Sequence, residues 1–236
     1  MRNVCTIFRK EMRSYFNSPV AYIVITLFLA ITGYFFGSSL FLANSADLRA
    51  LFGVAPMIFL FFAPAITMRQ LAEERRAGTM EILVTLPVTD PEIVIGKFLA
   101  AFGLLVISVV LTAISLITIA SLGNVDFGAS IGGYLGLILM GGVYVAIGML
   151  TSSLSPNQIV AFIVGFVIIF ALFMLDKVLV FFPSALASTM EYLAIDYHFR
   201  NIARGVIDSR DLIYYLSMIF FFLYATVRMT ESRKWR

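Results

Sequence analysis

Charge is scarce in this chain. Only 13% of its 236 residues are Asp, Glu, Lys or Arg, against about a quarter in a soluble globular domain. Hydrophobic residues make up 61%. A single water-soluble core cannot hide that much apolar surface, so lipid has to solvate most of it. Cysteine occurs once, at Cys5, which excludes an internal disulfide. Histidine also occurs once, at His198. A metal site needs three or four ligands, so Asp196-Tyr197-His198 reads better as an interfacial histidine paired with a neighbour. No G-x-x-x-x-G-K-[ST] loop is present, so the chain does not hydrolyse nucleotide itself. H-E-x-x-H and G-x-S-x-G are missing too, and no paired carboxylates, His pair or Ser-Lys pair lies within an apolar run. No catalytic residue, metal or cofactor is therefore expected on this chain. The net charge of +3 does not imply a nucleic-acid partner, because the basic residues flank apolar runs, as in membrane proteins.

What the chain does have is a series of long, continuous apolar runs. About 20 apolar residues cross the hydrocarbon as a helix, whereas a membrane barrel shows alternating segments of about ten. The expected fold is an all-α integral membrane protein forming one transmembrane domain over 1–236. Six spans are expected, at about 20–42, 51–68, 93–122, 131–153, 158–175 and 212–227. Residues 1–18 come before them. There Val4, Ile7, Phe8, Met12, Tyr15 and Phe16 recur at spacings of three and four, which predicts an amphipathic helix lying in the interface. Asn17-Ser18-Pro19 ends it. The first apolar run is too long for a signal peptide and lacks a small-residue cleavage site, so it is expected to stay as the first membrane helix. Pro56 and Pro64 each remove one helix hydrogen bond from the second span. Thr89-Asp90-Pro91-Glu92 is a helix-start signature. Gly132, Gly133, Gly136, Gly141, Gly142 and Gly148 let neighbours approach the fourth span closely. The 183–211 stretch is too polar to span and too apolar for a free loop. It predicts short, partly embedded, re-entrant-like helices, with Asp211 placed to cap the last span.

Six spans put both termini on one side. Twelve Lys and Arg fall on that side: four in the N-terminal segment, four between 69 and 97, and four in the tail. Arg49, Lys177, Arg200, Arg204 and Arg210 fall on the other. The excess marks the cytoplasmic face of a bacterial inner membrane, with both termini inside and 183–211 outside.

The longest polar interval between spans runs from Arg69 to Lys97. A plain connector needs only a few residues, but 69–88 forms a helix-like segment with mixed charge. Gly78 interrupts it, as a kink or a close-approach point. Read from the residues alone, it is either a solvated surface helix or a docking site for a soluble partner.

Glu74-Arg75-x-x-Gly78-Thr79-Met80-Glu81-x-Leu83-x-Thr85-x-Pro87-Val88 resembles the cytoplasmic signature of ABC-2 type transport permeases. His198-Phe199-x-x-Ile202-x-Arg204-Gly205-Val206-Ile207-Asp208 is similar to the branch that holds the gliding-motility and copper-maturation permeases. The resemblance implies a permease subunit without ATPase activity. Separate cytoplasmic ABC ATPase subunits, carrying ATP and magnesium, would drive export or envelope-directed work. It implies a second permease subunit, as homodimer or heterodimer, and an auxiliary membrane protein with an extracytoplasmic domain. The 69–88 segment becomes a coupling helix seated in the ATPase, through Glu73, Glu74, Arg75, Gly78, Thr79 and Glu81. Ser155 and Asn157 in the 154–157 turn become a smaller second contact, and 1–18 an interfacial elbow beside it. The alternative is a force-transmitting or scaffold subunit of an envelope or gliding complex that moves no solute.

Overall fold

The computed structural model describes residues 2–42, 47–78, 88–122, 126–178 and 191–232. These are helical almost throughout, with no strand among the described residues. Among the described residues, six stretches are long and apolar enough to cross a membrane: Pro19–Phe41, Arg49–Arg76, Asp90–Leu122, Phe127–Leu154, Gln158–Val178 and Ser209–Glu231.

The first helix, α1 (Arg2–Asn17), is amphipathic. Val4, Ile7, Phe8, Met12, Tyr15 and Phe16 are at least partly covered, while Arg9, Lys10 and Arg13 are exposed. It is followed by α2 (Pro19–Phe41), whose proline sits in the first turn, where no amide hydrogen is needed. Helix α3 (Arg49–Thr67) continues through Pro56 and Pro64. A tight turn leads into the short α4 (Ala72–Arg76). Helix α5 (Asp90–Leu111) begins as its sequence announced: Glu92 reaches back to accept from the Thr89 amide at 3.0 Å. The covered side of α1 lies directly on α5. A Cβ added at Gly96 or Gly103 would come within 2.8 Å of Ile7 or Met12.

The expected 93–122 span is interrupted at Thr112, where α5 gives way to α6 (Ala113–Leu122). The Thr112 hydroxyl turns back to the Val109 carbonyl at 2.6 Å. Its own carbonyl accepts from the Tyr134 hydroxyl at 2.9 Å. The same carbonyl also accepts from the Ser115 amide at 2.9 Å, and the Thr112 amide bonds to the Val109 carbonyl at 3.1 Å, so the ladder tightens to three-residue steps at this point.

The axis of the bundle is α7 (Phe127–Leu154), which touches α3, α5, α8 (Gln158–Val178), α9 (Ile195–Ala203) and α10 (Ser209–Glu231). Its apolar stretch is 78% buried, against 22% for α2 and α8 and 11% for α10, so the outer helices leave broad apolar faces uncovered. Close approach depends on the α7 glycines. A Cβ at Gly133 would lie 2.2 Å from the Phe52 ring, and one at Gly148 would lie 2.0 Å from Thr67 Oγ1. At Gly132 it would strike the Ile202 carbonyl of α9 at 2.2 Å.

Helix α9 therefore packs against the Phe127 end of α7, and it falls within the stretch expected to be partly embedded. Residues 183–190 of that stretch lie outside the described residues. The chain leaves α9 through Gly205, whose φ of +87° suits glycine and whose Cα side faces the Ala129 backbone. One expectation is corrected here. Asp208, not Asp211, caps α10, accepting from the Arg210 amide at 3.0 Å. Asp211 instead turns inward, with Oδ1 2.6 Å from His198 Nδ1, and both side chains are buried. His198 Nε2 lies 2.9 Å from the Tyr192 carbonyl. Both ring nitrogens are thus engaged, as expected for a histidine paired with a neighbour.

Candidate functional site

One concentration of polar chemistry lies where α1, α4, α5 and the Leu154 end of α7 meet. Its centre is Lys97 on α5, with a side chain only 3% exposed. Its Nζ lies 2.9 Å from Glu11 of α1 and 2.8 Å from Glu74 of α4. One buried cation therefore ties three separate elements together. In a low-dielectric setting such a charge persists only when paired.

A second tie fixes the start of α4. Ser152 Oγ, on α7, accepts from the Leu71 and Ala72 amides at 3.0 and 3.1 Å and donates to the Met68 carbonyl at 3.0 Å. One hydroxyl thus satisfies three backbone groups, which is its full hydrogen-bonding capacity. Arg75 adds a hydrogen bond to the Ser153 carbonyl. Leu71 and Ala72 are fully buried beneath. A third tie comes from α1. The Tyr15 hydroxyl donates to the Ile66 carbonyl at 2.8 Å and accepts from the Gln70 side-chain Nε2 at 2.5 Å. Burial pushes the Tyr15 phenol far above its ordinary pKa, so it stays protonated and able to donate.

These ties divide the expected contact residues into two groups. Glu74 and Arg75 are engaged inward, on Lys97 and Ser153. Glu73 faces outward, half exposed, and pairs with Arg69 at 2.9 Å. Arg76, Ala77 and Gly78 are exposed. Gly78 has a φ of +68° with open space around it, so the chain turns there in a conformation suited to glycine. Thr79 and Glu81 lie outside the described residues. In the 154–157 turn, Asn157 Oδ1 accepts from the Ile159 amide at 2.9 Å, and Ser155 Oγ accepts from the Asn157 amide at 3.1 Å. Both residues shape the entry to α8, and α4 packs against α7 and α8. The outward surface is therefore a short charged segment beside an exposed turn, mounted on a buried polar frame.

Reading the sequence missed Lys97, Glu11, Ser152, Tyr15 and Gln70 as parts of this frame. Lys97 carried one available signal, a lone lysine seven residues into an apolar helix.

The fold and this frame define a polytopic helical membrane protein with a polar platform at one end. A family model described as ABC-2 family transporter protein matches residues 5–230. The chain belongs to that family, which makes it a membrane permease subunit of an ABC transporter, working with ATPase partner subunits. Comparison with curated proteins finds no match.

Proposed function

We propose that this permease is driven through the 69–88 segment by separate cytoplasmic ATP-binding subunits. The Lys97 end of the bundle then faces the cytoplasm of a bacterial cell, as the distribution of basic residues favours. The observation that carries the reading is the double character of α4. Its outer side (Glu73, Arg76) and the following Ala77 and Gly78 are open, while its inner side is bound to α5 by Glu74 and to α7 by Arg75 and the Ser152 hydroxyl, and reaches Glu11 of α1 through Lys97. A push on the outer side is delivered to three elements together, because buried ties do not yield individually.

ATP binding closes the ATPase pair, α4 moves as a rigid lever with α1, and the spans shift between two states by rigid-body motion. Nucleotide drives this only through its differential affinity for those states. ATP and magnesium stay on the partner subunits. A second permease copy or relative completes the membrane unit, and an auxiliary membrane protein supplies any extracytoplasmic domain. The 198–208 pattern favours the gliding-motility and copper-maturation branch.

The test is co-purification from native membrane. A tagged full chain should carry an ATP-binding subunit with it. The pair Glu73→Lys and Arg76→Glu should lose that subunit while leaving insertion and thermal stability unchanged. Retention of the ATPase with unaltered hydrolysis in that variant would falsify the docking surface.

A further inference from the structure

At the end of the bundle remote from α4 lies a cavity of about 780 Å³, within the roughly 300–1,000 Å³ of small-molecule sites. It is bounded by the start of α3, the first turn of α7, the last turns of α8, and α9. We propose that it binds an anionic phospholipid, one with no cationic headgroup, with the headgroup phosphate on its arginines and an acyl chain along α3.

Charge comes first. Arg49, Lys177, Arg200 and Arg204 line the cavity, with Asp47, Asp126 and Asp196. Most of these charges are already engaged. Lys177 holds Asp196 at 3.0 Å, and Arg200 reaches Asp196 at 3.7 Å and also Asp176. Asp126 caps α7 through the Ala129 amide. Asp47 accepts from the Arg49 backbone amide at 3.1 Å, while the Arg49 side chain remains 93% exposed and only 4.0 Å contact links the two charges. Arg204 is exposed and has no ion pair among the described residues. Two guanidinium groups are thus left for an outside anion. Their planar forks suit a phosphate better than a point charge would.

The walls then select the rest of the ligand. Phe52, Pro56 and Met57 of α3 face Phe173 of α8 and Phe199 of α9. Met57 is 52% exposed, and Phe61, one turn further along α3, is 53% exposed. Phe61 rests on Phe166 of α8 with ring centroids 4.8 Å apart. The cavity wall therefore continues as an apolar strip along a membrane-crossing stretch. A free anion makes no use of that strip, and a neutral apolar molecule makes no use of the arginines.

The experiment uses the full chain in nanodiscs of phosphatidylcholine containing photoactivatable phosphatidylglycerol, with adducts mapped by mass spectrometry. Adducts are expected on α3 between Phe52 and Phe61. Combined Arg49→Gln and Arg204→Gln should reduce them about a hundredfold, the loss of two charge-assisted contacts at about tenfold each. Gly53→Phe provides an independent arm. Gly53 lines the cavity, and a Cβ there meets nothing within 4 Å, so the ring fills the space with every charge kept. It should abolish the adducts while elution and melting stay unchanged. Glycerol phosphate at millimolar concentration should not compete. Equal labelling by photoactivatable phosphatidylcholine, unchanged labelling in Gly53→Phe, or full competition by glycerol phosphate would each overturn the proposal. The readout needs no ATPase, so its failure leaves the docking at α4 untouched, and loss of docking leaves the lipid result standing.

Discussion

Lys97→Met tests the frame beneath α4 at its centre. Methionine keeps the unbranched apolar stem and removes only the charge. Glu11 and Glu74 then face the same buried point without the cation that joined them, and Glu11 keeps only the more distant Lys10, at 3.7 Å; the two carboxylate side chains are 15% and 14% exposed. Removing one partner of a buried ion pair typically costs about 3–5 kcal/mol. For a chain of this size each kcal/mol moves the melting temperature by about 2–4 °C, so a fall of about 6–20 °C is expected. Fluorescence-detected size exclusion after heating in detergent measures it. The triple variant Lys97→Met, Glu11→Gln, Glu74→Gln removes the two carboxylate charges together with the lysine, and should recover most of the loss, because neutral replacements of a buried triad are often tolerated. A single variant melting within about 2 °C of the parent would refute the reasoning. So would a triple variant no better than the single one.

Two further outcomes follow from the geometry. Ser152→Ala removes the acceptor of two buried amides and the donor to Met68, at about 1–3 kcal/mol for each stranded group; tryptic cleavage at Arg69, Arg75 and Arg76 should accelerate, and an unchanged rate would count against the anchor. Gly148→Ala drives a methyl into Thr67 Oγ1, 2.0 Å away, and should cost about 1–3 kcal/mol. Gly37→Ala, where a Cβ meets nothing within 4 Å, should melt like the parent.

Much of this architecture is written locally. Span length, the Thr89–Glu92 helix start and the four-residue rhythm of α1 depend on neighbours in sequence, and each can be read from a short window. The glycines of α7 could be named as close-approach points, although their partners could not. What escaped reading is held together by distant pairs. Lys97 and Glu11 are 86 residues apart, and Ser152 and Leu71 are 81 apart. Lys97 looked like one more flanking charge because nothing near it shows that two carboxylates fold onto it. Thr112 sits in an unbroken apolar run, and its helix break depends on a tyrosine from α7. Asp211 was a reasonable cap by position, but Asp208 stands one residue before the first turn, and His198 engages Asp211. For the candidate site, the sequence located the segment, whereas only the packing separates outward Glu73 from inward Glu74.

The central claim is that α4 faces the compartment where ATP-binding subunits reside. The direct measurement is labelling of Glu73→Cys, in a Cys5→Ser background, with a membrane-impermeant maleimide. Reaction is expected in inside-out vesicles and none in right-side-out vesicles or intact cells. Reaction from the outside of intact cells would contradict that claim.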